Sequence, residues 1–280
     1  MVTREKGQID KSLIEACPHL EVAARCAVGL DNVDVREATA RCIAVINAPG
    51  SNTGTIAEHT LSLVLMAVRN MYRSVSEVKA GNWNCRNTYS GDELNGKTLG
   101  VIGVGNIGER VAKLADAFGM RVLYWSRSPK SLPYNYAPLE EVLQQSDIIS
   151  LHVPFTRETG TLIGEPQLTL MRPGTFLINT ARGALIDNEA LVKALDSGRI
   201  AGFAADVLPE EPPLANGPLV VHPRAIITPH SGSLTASTYR SMCVTTVKNV
   251  LLFLQEKSLR KEAFLINKNC KKLLERIRNL

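Results

Sequence analysis

The 280-residue chain is 45% hydrophobic with a formal net charge of +5. It has no run of about 18 uncharged apolar residues, and its first ten, MVTREKGQID, lack a signal-peptide core, so neither a spanning helix nor secretion is expected. The six cysteines (17, 26, 42, 85, 243 and 270) are scattered, with no C-x-x-C pair and no histidine at zinc spacing; they read as reduced thiols of a cytoplasmic protein that holds no metal.

Along the chain, Pro18–Ala40 and Cys42–Asn47 have the pattern of short strand–helix units. A long helical pattern runs from Gly54 to about Ala80, with Ile56, Leu61, Leu65 and Val68 at helical spacing and Gly81-Asn82-Trp83 as its stop. Apolar runs then alternate with amphipathic stretches. The runs are Thr98–Ile102, Arg121–Trp125, Asp147–His152, Thr175–Asn179, Gly202–Asp206 and Ala225–Thr228; the stretches include Glu109–Phe118, Leu139–Gln144 and Glu189–Asp196. This alternation predicts an α/β fold, a doubly wound parallel sheet with helices on both faces. A second long helix is predicted over 234–256, with Val247, Val250, Leu251 and Leu254 apolar. The two long helices read as crossovers to a smaller domain built from both chain ends. The expected boundaries are 1–83 with 234–280 for that domain and 84–233 for the dinucleotide-binding domain. The net charge sits in residues 256–280, which carry eight Lys/Arg and three Glu. No aromatic platform or base-reading motif accompanies it, so it reads as a solvated helix face, and no nucleic-acid partner is expected.

The most informative stretch is 98–127. An apolar run ending at Ile102 meets Gly103-Val104-Gly105-Asn106-Ile107-Gly108, a helical pattern follows, and a second apolar run ends at Trp125. That context turns a G-x-G-x-x-G string into a dinucleotide-binding turn. Gly103 makes the turn, Gly105 admits a pyrophosphate to the backbone, and Gly108 lets the helix pack on the strand. The helix N-terminus offers N–H groups and positive dipole to the phosphates. After the second strand, where a carboxylate would accept from the ribose 2′-OH, the chain has Ser126-Arg127, with Ser128 and Lys130 beyond. A hydroxyl, a guanidinium and an ammonium suit a 2′-phosphate, so NADP is favoured over NAD.

Ligands of an open parallel sheet bind beyond the carboxyl ends of its strands. The later strands place His152-Val153, Thr180-Ala181-Arg182-Gly183, Asp206 with Glu210-Glu211, and His230-Ser231-Gly232 on that rim. Reducing a 2-keto acid needs a cation for carboxylate and keto oxygen, and Arg182 is a permanently charged planar fork. It needs a proton donor, and His230 is suited, because an imidazole can exchange a proton near neutrality. It needs a carboxylate behind that donor, and Glu211 is suited. Thr180, Ala181, Asp206, His230 and Gly232 are thus on the rim that carries the cofactor. His152 also sits on the rim. His59, inside the long helix beside Glu58, reads as packing, and His19 and His222, near prolines, as surface.

These residues carry a family pattern. Val28-Gly29-Leu30-Asp31-Asn32, Asn47-Ala48-Pro49-Gly50, Ala57-Glu58-His59-Thr60, the glycine turn, Asn179-Thr180-Ala181-Arg182-Gly183, Ala205-Asp206-Val207, Glu211-Pro212 and Thr228-Pro229-His230 together resemble the D-isomer-specific 2-hydroxyacid dehydrogenases. The resemblance spans about residues 11–257 and rests on the Arg…Glu…His order. It implies that Arg182 binds substrate, His230 is acid and base, and Glu211 orients the histidine. It implies that Val28 and Gly29 present N–H groups to the substrate carboxylate. It implies that Asn106, Ile107, Ser126, Val153, Thr180 and Asp206 line the cofactor, and that the protein dimerises through the cofactor domain. The expected substrate is a small 2-keto or 2-hydroxy acid such as glyoxylate or hydroxypyruvate. The alternative is a catalytically impaired or corepressor-like protein that binds the cofactor and recruits partners. Two departures are local: Ser126 replaces the family's carboxylate, as in NADP-using members, and Ala27 replaces a glycine. The third is large: about 50 N-terminal residues of the family pattern have no counterpart, so an incomplete flavodoxin-like substrate domain with a smaller sheet, an exposed edge and less buried apolar surface is expected.

Overall fold

A computed structural model describes residues 1–4, 7–256 and 265–267. The basic residues expected to form a charged tail lie outside them. The chain divides into two compact units, 1–52 with 233–280 and 53–232.

The smaller unit begins β1 (Val2–Thr3), α1 (Lys11–Ala16), β2 (Val22–Arg25), α2 (Val35–Ala40) and β3 (Ala44–Ile46). Its strands are parallel, in the order β1-β2-β3. Period-two alternation sorts their side chains to two faces. Ala23, Ile43 and Val45 pack with Ile9, Ile14, Val33 and Ala38. Val22, Ala24, Ala44 and Ile46 pack with Val250, Phe253 and Leu265. Asp10 and Asp34 cap the two helices by accepting from the N–H groups of Leu13 and Glu37. The outer edge of β3 is paired: Ile266 N donates to Val45 O (2.9 Å) and Val45 N to Asn267 Oδ1 (3.1 Å). The open edge expected of this sheet is therefore not at β3.

The larger unit runs α3 (Thr53–Val68), α4 (Met71–Lys79), a 3₁₀ turn (Trp83–Thr88), β4 (Thr98–Ile102), α5 (Asn106–Ala117), β5 (Arg121–Trp125), β6 (Asn135–Tyr136), α6 (Leu139–Gln145), β7 (Ile148–Leu151), α7 (Glu165–Leu170), β8 (Thr175–Asn179), α8 (Asn188–Asp196), β9 (Ile200–Ala205), α9 (Pro218–Val221) and β10 (Ala225–Ile227). All seven strands are parallel, ordered β10-β9-β8-β7-β4-β5-β6. The order reverses between β4 and β7, so the loops after those strands flank the crevice that such sheets use for ligands. Leu99, Val101, Val122, Tyr124 and Ile178 face α3 and α5. Ile102, Ile149, Leu151, Leu177 and Phe203 face the helices of the other side. Burial on both faces explains why these strands read as near-continuous apolar runs. The chain returns to the smaller unit as α10 (Ala236–Glu256), where Thr246 Oγ1 donates to Arg25 O (3.2 Å) and Asn249 Nδ2 to Asn47 O (3.2 Å). No helix among the described residues is long and apolar enough to cross a membrane.

Three features differ from expectation. The long helix expected over 54–80 is two helices, because Asn70 is left-handed (φ +49°) and ends the first. Both helices belong to the larger unit, which begins at Thr53 rather than near residue 84. The cause is the apolar face of α3: Ala57, Leu61, Val64 and Val68 are buried in the core shared with α5 and the sheet. The sheet also has a seventh strand, β6, whose two polar-tipped residues carry no apolar run.

Candidate active site

The glycine turn has the geometry of a phosphate cradle. Gly103 has φ +97°, and a side chain there would strike Val153 and the His152 carbonyl. A Cβ at Gly108 would overlap the Gly103 carbonyl oxygen, so helix α5 approaches its strand only with glycine there. Gly105 caps α5 and has open space around its missing Cβ. Asn106 and Ile107 open the helix, where backbone N–H groups have no intrahelical acceptor. This turn fits a dinucleotide pyrophosphate.

The segment after β5 is folded back onto the turn. Lys130 Nζ donates to Val104 O (2.6 Å), and Tyr124 Oη donates to Lys130 O (2.8 Å) while accepting from Lys130 N (3.0 Å). Ser126 Oγ donates to Ser128 O (2.6 Å), and Arg127 is exposed. Beneath the turn, His152 Nε2 lies 2.8 Å from Ser150 Oγ, and burial pushes the imidazole down to about 3, so it stays neutral.

At the end of β8, the buried Asn179 shapes the next three residues. Its Oδ1 accepts from Ala181 N (3.0 Å) and its Nδ2 donates to Arg182 O (2.9 Å). Thr180 Oγ1 is 2.8 Å from Thr60 Oγ1, whose own proton goes to Ile56 O (2.7 Å), so Thr180 is the donor. Arg182 Nη1 donates to Ala181 O (2.7 Å). Gly183 packs flat on the Leu208–Pro209 peptide, where any side chain would collide. That close approach sets the arginine turn beside the segment leading to Glu211.

A short polar contact joins two of the expected catalytic groups. His230 Nδ1 is 2.6 Å from Glu211 Oε2, and Glu211 Oε1 accepts from Leu208 N (3.1 Å). A carboxylate so held accepts a hydrogen bond from Nδ1–H, fixes the ring, and leaves Nε2 as the proton-transfer nitrogen. His230 adopts φ +52°, a costly region for a residue with a side chain. Asp206 over-determines it. This carboxylate is 2% exposed and accepts from Thr228 Oγ1 (2.6 Å), Ser231 N (2.9 Å) and Gly232 N (2.8 Å) on either side of the histidine. Burial alone would raise its pKa; bonds from His59, Thr228, Gly232 and Ser231 outweigh that and hold it below the usual carboxylate value.

Two histidines are not where the sequence suggested. His59 does more than pack: its Nε2 is 3.0 Å from Thr228 Oγ1 and 3.3 Å from Asp206 Oδ1. His222 is not a surface residue, since its side chain is 8% exposed and bonded to Asp196 and to Arg224 N. His19 is exposed. Val28 and Gly29 lie in the smaller unit, in the loop after β2, where Asn47 Nδ2 donates to Val28 O (2.7 Å).

Comparison with known proteins agrees with this geometry. Residues 61–232 match a family model described as D-isomer specific 2-hydroxyacid dehydrogenase, NAD binding domain. The chain is 43% identical over 261 residues to glyoxylate reductase of Aeropyrum pernix, covering 89% of this chain and 78% of that protein. It is 39% identical over 258 residues to D-3-phosphoglycerate dehydrogenase of Bacillus subtilis, covering 90% and 49%. Among solved structures, it resembles D-lactate dehydrogenase from Aquifex aeolicus complexed with NAD and lactic acid (TM-score 0.87, 32% identity, 95% and 86% covered). It also resembles a glyoxylate reductase from Paecilomyes thermophila (TM-score 0.84, 33% identity, 95% and 81% covered).

Proposed function

The chain belongs to the D-isomer-specific 2-hydroxyacid dehydrogenase family, nicotinamide-dependent oxidoreductases, and on that premise we propose that it reduces a small 2-keto acid such as glyoxylate or hydroxypyruvate with NADPH. The observation that carries the reading is the 2.6 Å contact between Glu211 and His230 on the rim of a sheet that also bears a dinucleotide cradle. A bound nicotinamide supplies the hydride to the keto carbon. His230 delivers the proton from Nε2 to the oxygen that gains charge as the hydride arrives. Glu211 accepts from Nδ1 and holds the ring in place. Arg182 grips the substrate carboxylate and keto oxygen. Ser126, Arg127 and Ser128 support the choice of NADP, as no carboxylate stands between Trp125 and Lys130 to repel a 2′-phosphate.

The protein works as a homodimer through the larger unit. Met71, Tyr72, Val75 and Val78 of α4 and the following Trp83 are exposed apolar side chains on neighbouring turns, a patch that suits an isologous contact. Free thiols, with Cys26 and Cys243 in contact and unbridged, favour the cytoplasm. The test is steady-state reduction of glyoxylate, hydroxypyruvate, pyruvate and longer keto acids with each nicotinamide. Turnover on a small keto acid with higher kcat/KM for NADPH is expected. Turnover with NADH preferred overturns the cofactor assignment, and cofactor binding without turnover overturns the enzymatic one.

A further inference from the structure

We propose that His59 is a positioning residue for the proton donor, acting through Thr228 and the buried Asp206 on the loop that carries His230. The inference deepens the reading of His230 as the acid and rests on it. Its basis is a directed chain of hydrogen bonds. Thr228 Oγ1 is 2.6 Å from Asp206 Oδ1, so its one proton is committed to the carboxylate. The same oxygen is then an acceptor toward His59 Nε2 at 3.0 Å, and Nε2 also lies 3.3 Å from Asp206 Oδ1. Both neighbours want a proton from that nitrogen, so His59 carries its proton on Nε2. The second contact is steric: a Cβ on Gly232 would meet Asp206 Oδ2, Ile56 Cδ1 and His59 Cδ2 at 2.8, 3.0 and 3.3 Å. Helix α3 therefore contacts the loop at Thr228 and helps to leave no room for a side chain at Gly232, on either side of His230. Between those points the backbone of His230 is left-handed, a conformation that persists only where its surroundings enforce it. His59 touches neither His230 nor Glu211 in the described contacts; it acts by fixing what holds them.

The test compares His59→Leu with His59→Gln, which keeps an N–H donor of similar reach. Two readouts are needed: keto-acid kinetics with NADPH, and ring ¹H–¹⁵N correlation spectra of histidine-labelled apoprotein, tractable with five histidines. In His59→Leu, kcat is expected to fall ~10- to 100-fold with keto-acid KM within about threefold, as for a misplaced catalytic group. The His230 ring signal is expected to shift from its single Nδ1–H tautomer toward a mixture, with His19 unmoved. In His59→Gln, kcat is expected to return to within about fivefold of the parent, with the parent His230 signal. The proposal is overturned if His59→Leu keeps kcat within about twofold and the His230 ring unchanged, or if glutamine is as damaging as leucine. If the parent turns over no keto acid, the functional reading fails separately, and the His230 ring signal alone decides the positioning claim.

Discussion

Replacing His152 by glutamine is expected to make the protein less sensitive to mild acid. Burial beneath the glycine turn moves this imidazole from 6.5 to about 3. Its folded pKa is thus depressed, and between those values the unfolded chain binds a proton that the folded chain refuses. Stability therefore rises with pH through this window and is lost as pH falls from about 6.5 toward 3. At pH 5 the unfolded imidazole is almost fully protonated and the folded one almost fully neutral, a difference worth about 2 kcal/mol. Asp206, whose pKa is lowered below an already acidic value, loses its contribution only at lower pH and does not enter the comparison. Glutamine keeps a polar partner for Ser150 Oγ and does not titrate. Urea unfolding followed by tryptophan fluorescence, at pH 8 and pH 5, measures the effect as a difference of differences in which the other histidines cancel. The parent is expected to lose about 2 kcal/mol more than His152→Gln between the two pH values. An equal loss in both proteins, within about 0.5 kcal/mol, would refute the claim that this ring is held neutral by burial.

Two glycines of the turn are expected to separate binding from folding. Gly105→Ala meets nothing in the protein and should change stability by no more than about 1 kcal/mol, yet weaken NADPH binding at least ~10-fold in a fluorescence titration. Gly108→Ala drives a methyl into the Gly103 carbonyl and should cost about 2 kcal/mol or more in the same unfolding assay. Ser126→Asp is expected to shift the NADPH/NADH ratio of kcat/KM toward NADH ~10-fold or more; an unchanged ratio removes the 2′-phosphate from this loop. Val75→Glu places a charge in the exposed apolar patch of α4 and is expected to yield monomers in analytical ultracentrifugation, while parent-like dimers would move the interface elsewhere.

The parts of the fold legible in the sequence are those governed by local physics. Strands β4, β5 and β8 match their apolar runs to the residue, because β4 and β8 are buried almost throughout and β5 stays apolar after the exposed Arg121 at its start. The break between α3 and α4 was not legible: apolar spacing continues across Asn70, and only its backbone angle reveals the turn. Strand β6 was invisible because two residues paired at a sheet edge leave no pattern. Within the site, Glu211 and His230 follow separate strands, so their meeting was legible from strand ends. His59 was not, because its neighbours along α3 say nothing of the β9 and β10 ends it faces across the fold. Arg182 lies on the expected rim, but its contact with Ala181 O is a local one that no spacing rule predicts.

The most direct measurement is single-turnover reduction of a keto acid by His230→Ala and Glu211→Gln, with NADPH affinity determined separately on each. Proton delivery from a clamped imidazole requires the alanine variant to lose ~10²- to 10⁴-fold in rate, and the glutamine variant to lose less, both binding NADPH about as tightly as the parent. An alanine variant that keeps more than about a tenth of the parent rate would contradict that account.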